Sequence, residues 1–159
     1  MTEPTEPVVT LSWHEIILAG TVGVRRRVEG LRLNLNGGWS WAPNTLWEAD
    51  IVGALAELAL AKFLGVYWDG AVRVQERTEG DVGPFQVRAT EIPKGSLILH
   101  ERDRDEAIFH LVVVEGATCR LKGFITGAEG KRPGFWDDSK PHPAFFVPQS
   151  ALHPVSEAK

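Results

Sequence analysis

Four side chains in the middle of the chain have the types and spacing to handle a metal ion and a phosphate. Asp81 sits in a Gly80-Asp81-Val82-Gly83-Pro84 bend, and Gln86 and Arg88 follow on a run that alternates with Phe85, Val87 and Ala89. Successive side chains of a strand leave opposite faces, so Gln86 and Arg88 emerge together, away from the apolar trio. Asp81, at the preceding bend, can reach the same end of that face. A carboxylate, an amide oxygen and main-chain carbonyls are hard donors of the kind Mg2+ (or Mn2+) takes, and a metal held there would leave water to attack phosphorus. Glu57 would add a further carboxylate from an otherwise apolar stretch, where Ala56 and Leu58 flank it and an unpaired buried carboxylate is costly. Each residue also has a structural reading. Glu57 would pair with Arg88 in the core, Asp81 would be a turn residue bonding backbone, and Gln86 and Arg88 would lie on a solvated strand surface.

The elements that must position these groups show as changes of period. Leu11 to Val28 reads as a helix, with Ser12 as N-cap and Glu15 completing a capping box. Asn34 to Thr45 is rich in Asn, Gly, Trp and Pro and reads as a loop. Thr45 then caps the strongest helix, which runs to Leu64 and stops at Gly65, with Ile51, Leu55, Leu58 and Phe63 on its buried face. Beyond it the period falls to two. Strands are expected at Val72 and Val74, at Phe85 to Thr90, at Ser96 to Glu101, at Ile108 to Val114 and at Arg120 to Thr126. The unbroken apolar run from Ile108 marks a strand buried on both faces. Gly130 to Pro143 reads as irregular, Phe145 to Pro148 as a short strand, and Ser150 to Leu152 as a turn or short helix. Two helices followed by strands predict an α/β fold, a mixed sheet packed by helices.

The 159 residues, 43% of them hydrophobic, fit a single domain over 11–155, with residues 1–10 as a flexible tail. The run Ile51 to Val66 is shorter than the ~20 residues a bilayer crossing needs, so no membrane association is expected. The acidic, proline-rich start lacks the cationic and apolar parts of a secretion signal, which points to the cytoplasm. Cys119 is the single cysteine and has no intrachain disulfide partner; it reads as a buried small hydrophobe. A net charge of -4 excludes a polybasic nucleic-acid binder but leaves room for local patches. The clearest is Arg25-Arg26-Arg27 with Arg32, read either as the solvated end of a helix or as a phosphate-contact patch. Trp39, Trp41 and Trp136 in their loops would anchor to the core or stack on bases. His110 reads as a satisfied core histidine, and Asp103, Asp105 and Glu106 as a solvated acidic turn. His100, His142 and His153 share no metal spacing, and neither a phosphate-binding glycine loop nor a nucleophile elbow occurs.

Gly53-Ala54-Leu55-Ala56-Glu57, followed by Asp81 and then Gln86-Val87-Arg88, resembles the helix motif and catalytic strand of the PD-(D/E)XK (restriction-endonuclease-like) superfamily. Phe109 to Val114, Lys122 to Ile125 and Phe146 to Leu152 are similar to segments of its small phage and prophage members, and the resemblance covers residues 47–154. It implies a restriction-endonuclease-like mixed central sheet with flanking helices, and a Mg2+- or Mn2+-dependent deoxyribonuclease with Glu57, Asp81, Gln86 and Arg88 as catalytic residues. The first three would hold the metal, DNA would be the partner, and a homodimer would fit the class. The chain departs from the pattern where Gln86 replaces the usual Glu and Arg88 the usual Lys. Arginine supplies charge but is bulkier, fixed in its fork geometry and unable to deprotonate. Lys94 or Lys122 would have to substitute for the lysine from a neighbouring segment. The alternative is a nuclease-like fold without catalysis, binding DNA or a protein.

Overall fold

The computed structural model describes residues 5–34, 46–72 and 80–158. Strand β1 (Val8–Thr10) leads into helix α1 (Trp13–Arg32), and helix α2 (Leu46–Leu64) returns alongside it. Ser12 and Glu15 form the expected capping box, with Glu15 N donating to Ser12 Oγ at 3.2 Å and Ser12 N to Glu15 Oε2 at 2.7 Å. Glu15 also accepts from Lys62 in the last turn of α2 at 2.9 Å, which ties the start of one helix to the end of the other. That lysine is the main reason the Glu15 carboxyl titrates below its ordinary range. The helices touch backbone to backbone at Gly23, where a Cβ would stand 2.5 Å from Ile51 Cα. A side chain there would force the pair apart.

Strands β2 (Phe85–Thr90), β4 (Ile108–Glu115) and β5 (Thr118–Thr126) join β1 in a four-stranded sheet of order β1-β5-β4-β2. The β2–β4 pair is parallel and the other two pairs are antiparallel, so the sheet is mixed as the sequence predicts. Its helix-facing side meets Ala54, Leu60, Val87, Val112 and Leu121 in one core. Both helices lie on this face. The opposite face is covered by a second sheet, β3 (Leu97–Leu99), β7 (Ala144–Val147) and β6 (Trp136–Asp137), which encloses a smaller core around Phe109, Leu111 and Ile125. A mixed α/β fold with flanking helices is therefore observed with a difference, because a three-stranded sheet takes the place of helices on one side. Between β5 and β6 lies the one-turn helix α3 (Gly127–Gly130), which ends where the stretch read as irregular begins.

One sequence reading shifts. Residues 8–10, assigned to a tail, form an edge strand, with Val9 and Leu11 buried and Leu121 N bonded to Pro7 O at 2.9 Å. Short alternation beside Pro4 and Pro7 hides such a strand from a pattern reading. The strand expected at Val74 and the loop with Trp39, Trp41 and the Thr45 cap lie outside the described residues. Among the described residues no helix is long and apolar enough to cross a membrane.

Candidate functional site

Glu57 points to α1 and to the segment that follows α2. It is only 6% exposed, and both its oxygens are engaged. Arg26 Nη1 donates to Oε1 and Arg26 Nη2 to Oε2, each at 2.9 Å, and Trp68 Nε1 donates to Oε2 at 2.9 Å. Arg26 Nε donates to Ala71 O at 2.9 Å. This fork-to-fork pair, with side chains 9% and 8% exposed, binds α1, α2 and the Trp68–Ala71 segment into one unit. Glu57 thus has the buried ionic partner that its apolar surroundings require, but the partner is Arg26 and not Arg88.

The basic run is drawn inward with it. Arg27 is buried, its Nε 2.9 Å from Asp50 Oδ2 without hydrogen-bond alignment. Burial raises the Asp50 pKa, outweighing the pull of Arg27 and Arg26. Arg25 stays exposed, and Arg32 pairs with Glu29 on the surface. The run is therefore neither a solvated helix end nor a phosphate patch: its two middle members serve the helix–helix contact. Position 26 lies three residues beyond Gly23 and seven beyond Ala19 on the buried face of α1, a signal the sequence did carry.

On the other face of the sheet, Gln86 and Arg88 emerge together as predicted. They stand in register with Phe109 and Leu111, which belong to the smaller core. The Arg88 guanidinium lies 4.9 Å from the Phe109 ring centroid. Its Nη2 donates to both oxygens of Asp103, at 3.0 and 2.9 Å, and its Nε to Ile98 O at 3.1 Å. Asp103 Oδ2 also accepts from His100 N at 2.8 Å, and Lys131 Nζ donates to Asp103 O at 2.6 Å and pairs with Asp105. Beside them the His100 pKa is lowered, burial outweighing the Asp103 charge. The turn read as solvated thus contributes one inward carboxylate, Asp103, which anchors β2 to the loop between β3 and β4.

Asp81 lies at the outer edge of β2, which has no further strand beside it among the described residues; its Oδ2 accepts the Val87 N–H at 2.9 Å. The bend that places it is tight. Val82 and Phe85 exchange backbone bonds at 3.1 and 3.0 Å across Gly83 and Pro84, and a Cβ on Gly80 would stand 2.3 Å from Phe85 O. Gln86 is half-buried on the strand. Of the replacements for the missing lysine, Lys122 is held by Glu6 at 2.8 Å beside β1, at the opposite edge of the sheet from β2. Lys94 is exposed in the turn after β2.

The four predicted residues therefore do not share a cleft. Glu57 lies on the helix side, Gln86 and Arg88 on the side of the second sheet, and Asp81 on the strand edge between them. A single divalent cation needs its oxygens at about 2.1 Å around one point. Glu57, with both oxygens bonded to Arg26 and Trp68 on the helix side, does not fit with Asp81 and Gln86 as one donor set. Among the described residues no group of three or more His, Cys, Asp and Glu side chains is arranged to hold a metal ion.

Trp136 packs edge-on against Phe145 at 4.9 Å. His110 is 1% exposed, inside the core as expected, but neither ring nitrogen has a hydrogen-bond partner. It lies between Phe85 and Phe124, at ring distances of 4.9 and 5.5 Å, and burial pushes its pKa down to about 4. Cys119 is buried, as read, with its thiol pushed up to about 11 by burial. No family model, curated protein or solved structure matches the chain.

Proposed function

We propose that this domain is a nuclease-like fold that does not cleave phosphodiesters and acts as a binding and assembly module for protein partners. One observation carries the reading: the two residues with the strongest claim to chemistry, Glu57 and Arg88, are held inside the fold, Glu57 through both oxygens by Arg26 and Trp68, and Arg88 through Nε and Nη2 by Ile98 O and Asp103. Groups so held meet a metal or a scissile phosphate only by sharing or breaking these bonds. Protein is favoured over DNA as partner because Arg26, Arg27 and Arg88 have their charges neutralised internally and the chain as a whole carries -4.

The test is incubation with supercoiled plasmid and with single-stranded DNA, in Mg2+, in Mn2+ and in EDTA, alongside Asp81→Ala. No metal-dependent cutting by either protein is expected. Cutting that needs the metal and disappears in Asp81→Ala would overturn the reading in favour of a metal-dependent nuclease. A gel shift with the same DNA at physiological salt would replace protein by DNA as the partner class.

A further inference from the structure

Helix α1 uses one face against α2 and leaves a second apolar face uncovered. Trp13, Ile17, Val24, Val28 and Leu31 are 76%, 66%, 40%, 42% and 60% exposed. With Gly20 they fall within about 80° of helical arc and run straight along the helix for about 27 Å. The residues that α1 buries, Ala19, Val22, Gly23, Arg27 and Gly30, lie beside this stripe and not within it. Together the five side chains present on the order of 500 Å² of surface, in the upper range of the largest apolar patch a monomer usually leaves in water.

We infer that the stripe is the contact between two copies of this chain, packed as antiparallel α1 helices about a two-fold axis. The spacing of the stripe is self-complementary. About an axis near position 22, Trp13 falls opposite Leu31 of the second copy, Ile17 opposite Val28, and Gly20 opposite Val24. A two-fold interface needs this reciprocity, in which residue i meets j and j meets i. Gly20 sits next to the axis, and a Cβ there would find open space, so the backbones can approach closely around Val24. The exposed area supplies most of the roughly 800 Å² per partner of a standard interface, with an apolar centre of the kind homodimers use. The pairing does not depend on whether the β2 face cleaves, binds or does neither.

Sedimentation velocity on the full chain, from about 1 to 100 μM, tests it across the range of a micromolar dimer. A concentration-dependent dimer is expected. Ile17→Glu and Val24→Glu should each weaken association at least about 30-fold, the loss expected of a central contact residue. Both side chains are exposed, so circular dichroism and thermal unfolding should show the fold retained. Ile92→Glu, an exposed apolar residue off the stripe, should leave association unchanged. Trp13→Glu and Leu31→Lys should each fail to self-associate and should pair when mixed, since only the antiparallel arrangement brings position 13 to position 31. A wild-type chain that stays monomeric throughout, or a dimer that survives both glutamate substitutions, overturns the proposal. Failure of the mixed pair overturns the antiparallel packing.

Discussion

Glu57 was conspicuous in the sequence because a carboxylate among alanines and leucines must be either paired or functional. Its partner was not legible, since Arg26 is 31 residues away and only the helix crossing brings the two together. The same holds for Arg88, whose acceptor Asp103 is 15 residues on, in a turn whose composition reads as solvated. Sequence thus identified residues with a charge to satisfy, and the topology decided by what. Removing one member of a buried pair strands the other, at about 3–5 kcal/mol. Glu57→Ala should therefore lower unfolding stability in urea by about that much, and Arg26→Met with Glu57→Leu should be less destabilised than either single change. A Glu57→Ala protein of unchanged stability would contradict the structural role given to the pair. His110 poses the opposite problem, a polar group with nothing to bond. Its folded pKa of about 4 lies below the ordinary 6.5, so its neutral form is favoured on folding. The stability that follows is complete above pH 6.5 and is lost as the pH falls from 6.5 towards 4, by up to about 3 kcal/mol. His110→Phe should flatten the urea midpoint between pH 6.5 and 4.5 relative to wild type, and should be more stable than wild type at pH 5. The comparison isolates the histidine from Glu129 and Glu15, whose lowered carboxyl pKa values act below about pH 4.5.

Elements with long local signals were legible, although α1 runs on to Arg32, four residues past its expected end at Val28. The Ser12–Glu15 box fixed the start of α1, Gly65 with φ of 67° closes α2, and Phe85–Thr90 was read with its observed bounds. The second sheet was not legible as a sheet. Its strands are two to four residues long, too short for an alternation to repeat, and they pair across the chain from Leu97 to Val147. Glycine positions within the helices were also ambiguous, because a weak helix residue can mark either tolerance or close packing. The structure separates them. A Cβ on Gly53 would meet nothing within 4 Å, whereas on Gly23 it would stand 2.5 Å from Ile51 Cα and 2.8 Å from Asp50 O. Gly53→Ala should stabilise the protein by about 0.5–1 kcal/mol through helix propensity. Gly23→Ala should destabilise it by about 1–3 kcal/mol or more, because the helices must separate to admit the methyl group. Thermal or urea unfolding of both variants checks this; equal effects of the two would mean that the α1–α2 crossing is looser than the structure has it.

The whole molecule is built on β4. Phe109 and Leu111 face the smaller core, while Val112 and Val114 face the helices, and an irregularity between Leu111 and Val112 shifts the register with β5. The continuous apolar run that marked this strand in the sequence follows from covering both its sides. Because one strand lines both cores, neither should unfold alone. Leu111, on the small-core side, and Leu60, on the helix side, are both essentially fully buried. Leu111→Ala should cost about 2–5 kcal/mol and Leu60→Ala a similar amount. Hydrogen exchange should show each substitution lowering the protection of α2 and of β7 by the same factor. Chemical unfolding should remain a single transition whether followed by far-ultraviolet circular dichroism or by tryptophan fluorescence. Had the three-stranded sheet been an appendage, Leu111→Ala would lower protection in β3 and β7 while leaving α2 at its wild-type value. Its residues arrive from three separate stretches between Leu97 and Val147, interleaved with β4 and β5. An independent unfolding step for that sheet would have to detach it from both ends of β4, through the Arg88–Asp103 anchor at one side and the turn of α3 at the other, and the shared core leaves no boundary along which that could occur.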